Sequence, residues 1–247
     1  MIHFRLARKV LSYSIRRQVK DEELARKLTP TYPIGCKRIL LMNDFLPMFA
    51  NKSNAHLVTK GIKEIKESSI VTNDNDQEIP VDLIIFATGF QIEDSICGFE
   101  TIGKNNLNLR HFLDDFPVAF KGISVPNFPN FFILLGPNTA TAHTSVVFMA
   151  ECQVNYIMNC LNQMLKHDIK AIEVKSKPTQ KFRQEMDEMS STLNIQASCQ
   201  GWYKNKDGIN FILWPSNLVH YWWITRKAEL LENYWLTLSV ICNENEK

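Results

Sequence analysis

Apolar and polar positions change period several times along this chain, and each change predicts an element. Leu6, Val10, Ile15, Val19 and Leu24 recur at roughly helical spacing between arginines, which predicts a helix over residues 3–28. Pro30 and Pro33 end it, because proline pushes the residue before it toward extended backbone. KRILLM, residues 37–42, predicts a short strand. Further strands are expected at His56–Thr59, Ile62–Ile65 and Ser69–Thr72, with a polar hairpin at NDNDQE. The run VDLIIFA, residues 81–87, has no polar alternation. A strand of a parallel sheet covered on both faces reads that way.

Residues 91–125 are loop-rich. Phe131–Leu135 predicts a second fully buried strand, which a Gly-Pro-Asn turn breaks. A helix is expected from Thr144 to Lys166, with Val147, Val154, Ile157, Leu161 and Met164 on or near one face. A strand at Ala171–Val174 and a helix over Pro178–Ser190 follow. The remainder predicts a turn, a hairpin at Asp207–Gly208, a strand and an aromatic-rich close. No repeat of 20–50 residues is present, so a solenoid or propeller is excluded.

Composition narrows the function. The 247 residues can form one large domain or two modest ones, and 45% apolar with 22% charged residues is a globular balance. A net charge of +2 gives no basic surplus for nucleic acid. The basic opening HFRLARKVLSYSIRRQVK is followed at once by DEELARK, which fits a solvated helix face. Six cysteines occur without any CxxC, so neither a zinc site nor a disulfide framework is expected. No apolar run reaches the ~20 residues of a membrane span and no signal-peptide core leads the chain. A soluble protein of a reducing compartment, in the cytoplasm, is the expectation.

Two stretches carry candidate chemistry. In ATGF, Ala87 and Gly89 let backbone approach a ligand and Thr88 offers a hydroxyl; the same turn also serves as loop punctuation. GPNTATAHTS, Gly136–Ser145, leaves a strand and opens a helix, the crevice where open α/β folds place ligands. That helix start offers unpaired N–H groups and about half a positive charge, suited to a flavin edge that becomes negative on reduction. Alternatively Thr144 or Ser145 simply caps the helix. His143 has no carboxylate beside it in sequence and reads as a capping residue. Lys37 and Arg38 point to opposite faces of the expected strand, so one can enter a cleft, or both can line a sheet edge. Trp202, Tyr203 and Trp214 can line an organic-substrate pocket or pack the core.

Taken in order, VKDEELARKLTPTYPIGCKRILL, NAHLVTKGI, VDLIIFATGF, FPNFFILLGPNTATAHTSVVFMAECQVNYI and CQGWYKNKDGINFILWP resemble the carboxy-terminal half of a class B flavoprotein monooxygenase of the Baeyer–Villiger type, with its flavin-containing monooxygenase relatives. The resemblance implies FAD and NADPH as cofactors, O2 as co-substrate, and a C4a-peroxyflavin that oxygenates a small organic ketone or a heteroatom. It implies an α/β fold, the carboxy-terminal portion of a flavoprotein with two dinucleotide-binding, Rossmann-like domains. Residues 1–80 would then be the end of the NADPH-binding and helical region, and residues 81–247 the end of the FAD-binding domain with a substrate-side tail. It assigns Arg38 as the catalytic cation, with Lys37 at NADPH. Thr88, Gly89 and Phe90 fall at the return to the FAD domain, Asn138, Thr139 and Thr144 beside the flavin, and Trp202, Tyr203 and Trp214 near substrate.

The sequence also departs from that family. No GxGxxG occurs among its nine glycines, although the family carries two such motifs. SCQGWY and STLNIQA differ from the family's usual tail. The expectation is an incomplete chain, inactive without the missing amino-terminal half, whether as a fragment of a truncated reading frame or as a split-gene product whose other half is separate. The alternative is a non-catalytic fragment, or a decayed remnant that binds a partner through exposed sheet edges.

Overall fold

The computed structural model describes residues 2–34, 37, 39–50, 54–89, 99–115, 117–141, 144–191, 203–205 and 207–239. The chain divides into two compact units, Met1–Gly35 with Ile39–Phe90, and Cys36–Arg38 with Gln91–Lys247.

In the first unit the expected single helix is two, α1 (Ile2–Val19) and α2 (Glu22–Leu28). The break is at Lys20, whose φ of 61° lies outside the helical region. Asp21 then restarts the helix as an N-cap, accepting from the Leu24 N–H at 2.9 Å. Of the expected stripe, Val19 is buried while Leu6 and Val10 stay exposed. A short helix α3 (Phe45–Ala50) packs on α1. β1 (Ile62–Ile65), β2 (Ser69–Thr72) and β3 (Glu78–Pro80) form an antiparallel sheet with β2 in the middle. The hairpin at NDNDQE joins β2 to β3, with Asn75 and Asp76 both at positive φ, as a type I′ connection requires.

Three strands expected before residue 90 are absent from the described residues. Residues 39–42 and 56–59 are irregular, and so is 81–87. Val81 donates its N–H to the Ser68 carbonyl at 3.0 Å, but residues 82–89 make no backbone hydrogen bond among the described residues. Leu83, Ile85 and Phe86 are 76%, 81% and 71% exposed. The segment has the composition of a doubly covered strand, yet among the described residues it has no ladder partner, and most of its side chains are exposed.

The second unit is built on α5 (Val146–Lys166). Its inward face is Met149, Cys152, Gln153, Tyr156 and Cys160, the helical template of spacings three and four. Ile157 and Met164 pack at the margin of that core as expected, but Val147, Val154 and Leu161 face outward, a rotation of the expected face. β4 (Ile169–Val174) and α7 (Leu218–Thr225) pack on α5, and α6 (Ser176–Ser191), the short α8 (Leu230–Asn233) and β5 (Tyr234–Leu238), which pairs antiparallel with β4, add side chains to the same core. A smaller cluster, Leu109, Leu113, Ala119, Val125 and Phe128, sits beneath α4 (Leu109–Asp115), so residues 99–125 are more ordered than a loop-rich reading expects. Phe131–Leu135 is not a strand: Phe132 makes one isolated bridge to Ser124, and Leu134 and Leu135 are exposed. The hairpin at Asp207–Gly208 is present, with Gly208 at φ 77° and Lys204 bridging Asn210.

Candidate functional site

The segment leading into α5 is held by close backbone contact. A Cβ on Gly136 would stand 2.6 Å from the Gly122 carbonyl oxygen, and one on Gly122 would stand 2.0 Å from the Thr139 methyl. Only glycine lets the two turns approach so closely. Within the turn, the Thr139 hydroxyl donates to the Gly136 carbonyl at 2.6 Å. Asn138 sits at φ 59°, a conformation asparagine tolerates better than most residues. Its amide donates to the carbonyls of Asn210 at 3.0 Å and Leu213 at 3.4 Å. Backbone bonds from Asn138 to Phe211, Ala140 to Ile212 and Trp214 to Ala140 complete a short parallel pairing.

Beyond this clasp the chain enters α5. Ser145 is the N-cap, its hydroxyl accepting from the Phe148 N–H at 3.2 Å, while the Thr144 carbonyl accepts from the Thr141 hydroxyl at 2.8 Å. Of the two capping candidates in sequence, the serine caps. Val146 and Val147 are exposed, so the positive end of a 21-residue helix opens to its surroundings. A rigid turn followed by such an open helix start suits a flavin edge that gains negative charge, and the residues here fit that group.

Sequence reading missed the polar core behind the turn. Gln153, fully buried, accepts from the Leu135 N–H at 2.8 Å and donates to the Tyr221 hydroxyl at 2.9 Å. Tyr221 donates in turn to the Lys121 carbonyl at 2.8 Å. A second chain links Ser124, Tyr234 and Tyr156 through hydroxyl contacts of 2.9 and 3.1 Å. Burial pushes the phenols of Tyr156, Tyr221 and Tyr234 well above their ordinary range, and pushes the Cys160 thiol up to about 12. The available signal was one glutamine on the apolar face of an otherwise regular helix.

The expected site residues fall as follows. Asn138 and Thr139 are buried in the clasp, and Thr144 is exposed just before α5. Thr88 and Gly89 belong to the first unit and are exposed, with Gly89 at φ 95° and no atom within 4 Å of where a Cβ would stand. Lys37 is exposed. Arg38, Phe90, His143 and Trp202 lie outside the described residues. Tyr203 is buried, its carbonyl accepting from the Phe211 N–H at 3.3 Å. Trp214 is buried edge-to-face on Tyr221, with ring centroids 5.0 Å apart, and its indole N–H donates to the Asn217 carbonyl at 3.0 Å. No helix among the described residues is long and apolar enough to cross a membrane.

No family model matches the chain. A Baeyer–Villiger monooxygenase of Pseudomonas aeruginosa is 32% identical over 244 residues, covering 98% of this chain and 46% of that protein. A Baeyer–Villiger monooxygenase of Streptomyces coelicolor is 32% identical over 216 residues, covering 87% of this chain and 41% of its own length. Among solved structures, OTEMO in complex with FAD and NADP matches with a TM-score of 0.85 at 23% identity, over 95% of this chain and 44% of that one. The structural likeness establishes the α/β fold as part of a larger one. The chain spans less than half the length of each of these proteins.

Proposed function

We propose, for a chain that belongs to the class B flavoprotein monooxygenase family and has part of its α/β FAD/NAD(P)-binding fold, that it supplies the carboxy-terminal half of an FAD- and NADPH-dependent Baeyer–Villiger monooxygenase. The match over 98% of the chain to a Baeyer–Villiger monooxygenase carries this reading. The structure adds support at residues 82–89, whose exposed apolar side chains and unpaired backbone suit a strand waiting for a parallel sheet. On this reading the sheet, together with the glycine-rich pyrophosphate cradles that this sequence does not carry, comes from an amino-terminal half.

Within that enzyme, each candidate has a physical task. The clasp of Gly122, Gly136, Asn138 and Thr139 fixes the approach to α5, and the helix start after Thr144 favours negative charge placed before it. Thr88, Gly89 and Phe90 form the crossover into the FAD-binding domain. Arg38 supplies a fixed cation where negative charge develops during oxygen transfer, and arginine keeps that charge in a water-poor site where lysine can lose it. Lys37 assists NADPH. Trp202 contacts substrate, with Tyr203 and Trp214 as buried backing. Bound flavin reduced by NADPH supplies the oxygen chemistry, acting on an organic ketone or heteroatom with O2.

The arginine assignment is tested in enzyme reconstituted from the two halves. Arg38→Ala is expected to retain flavin and to lose ketone-dependent product by at least a hundredfold, the scale on which one preorganised charge acts. Flavin lost along with activity would make Arg38 structural, and activity retained would remove it from the mechanism.

A further inference from the structure

A groove of about 910 Å³ opens in the second unit between the turn at Phe120–Ser124, the first half of α6 and the connection from α7 to α8. None of the residues assigned above lines it. Six basic and three acidic side chains do, leaving three net positive charges. Phe120, Phe182 and Trp223 supply apolar wall, and the Arg226 guanidinium lies 3.3 Å above the Trp223 ring centre.

Lys121 is the unusual member, a lysine only 7% exposed. It occupies the first position of a two-residue turn, at φ 55° with Gly122 at φ 69°. Asparagine, aspartate or glycine suits that position, and lysine does not. The Tyr221 hydroxyl on the Lys121 carbonyl holds the turn from behind. The ammonium lies 4.8 Å from the ring centre of Tyr156 and 5.2 Å from that of Phe120. It makes no hydrogen bond or ion pair among the described residues; Glu229 acts on it only at longer range.

Two aromatic faces offset only part of the cost of placing a cation in this poorly exposed position. The ammonium is not sealed off, since no buried side-chain nitrogen lacks a hydrogen-bond partner among the described residues, so it opens onto the groove with no counter-charge bonded to it. An anion at the ammonium would supply the missing counter-charge, and the groove gives it a route in. We propose that this groove binds a small organic anion, with its carboxylate or phosphate at Lys121 and its apolar body along Phe182 and Trp223. Lys177 and Lys227 at the margin favour its entry over that of a neutral analogue.

The test titrates the full chain with phenyl phosphate, benzoate and benzyl alcohol by calorimetry. At least one of the two anions is expected to bind at a single site, and whichever binds more tightly identifies the headgroup; benzyl alcohol should not bind. Lys121→Met should weaken the anion at least tenfold, whereas Lys166→Gln, outside the groove, should leave it unchanged. Where Lys121→Met fails to fold, wild-type chain is treated with pyridoxal 5′-phosphate and borohydride, then mapped by mass spectrometry. Labelling at Lys121 that the bound anion suppresses supports the site. Binding of neither anion, equal binding by Lys121→Met, or absent or unprotected labelling at Lys121 overturns it.

Discussion

Gly136 and Gly208 are both turn glycines, but they face different constraints, and the difference is measurable. A methyl at Gly136 collides with backbone at 2.6 Å, so Gly136→Ala must force the clasp open and is expected to lower stability by about 1–3 kcal/mol. Gly208 meets nothing within 4 Å and has only its positive φ to lose, so Gly208→Ala should cost about 1–2 kcal/mol, the smaller of the two effects. Urea midpoints for the pair check the order. Titratable residues give a second prediction. In the folded chain the phenols of Tyr156, Tyr221 and Tyr234 and the thiols of Cys152 and Cys160 hold their protons more tightly than when unfolded. Their contribution is complete below the unfolded values of about 9–10 and is lost as pH rises beyond them. Lys121, held below its ordinary value, works in the opposite sense just under pH 10.5, but it is one group against five. Stability should therefore fall from about pH 9 to pH 12, and Cys160 should resist iodoacetamide at pH 8.5 until the chain is unfolded. Stability that holds flat through that range, or rapid native-state alkylation of Cys160, would contradict this placement of the polar core.

At the scale of elements, the chain shows where sequence is a sufficient guide. α5, β4, α6, β1, β2 and the two hairpins follow from spacing, turn residues and capping, because each is satisfied by contacts within its own unit. The segments at 39–42, 81–87 and 131–135 read as strands by composition and stand as irregular chain. A strand needs partners, and periodicity does not say whether the partner lies in the same chain. The turn before α5 was legible as a turn and helix start, and so as a candidate site, from Gly-Pro-Asn and the polar residues after it. Its fastening was not, since Gly122, Asn210 and Gln153 are distant in sequence and ordinary by type. A surface change on the bare segment separates its two roles. Ile85→Lys should leave the unfolding free energy of the isolated chain, from urea titration, within about 0.5 kcal/mol, as an exposed position allows. The same change should abolish productive pairing with an amino-terminal half, read as flavin retained after gel filtration of the mixture. Flavin retained as in wild type would show that the segment does not join a sheet.

At the scale of the molecule, the chain has a well-packed second unit and a first unit with an unsatisfied edge, and it spans less than half the length of its relatives. Those facts fit part of an enzyme whose cofactor site needs the portion of its relatives that this sequence does not cover. The direct measurement is the visible flavin absorbance of the purified chain after incubation with FAD. It is recorded alone and mixed with the portion of the Pseudomonas aeruginosa relative that this chain does not cover. The account predicts a colourless chain alone, and a yellow complex that oxidises NADPH and forms product from a ketone when the two are mixed. A chain that binds flavin unaided, or a mixture that stays colourless, would contradict it.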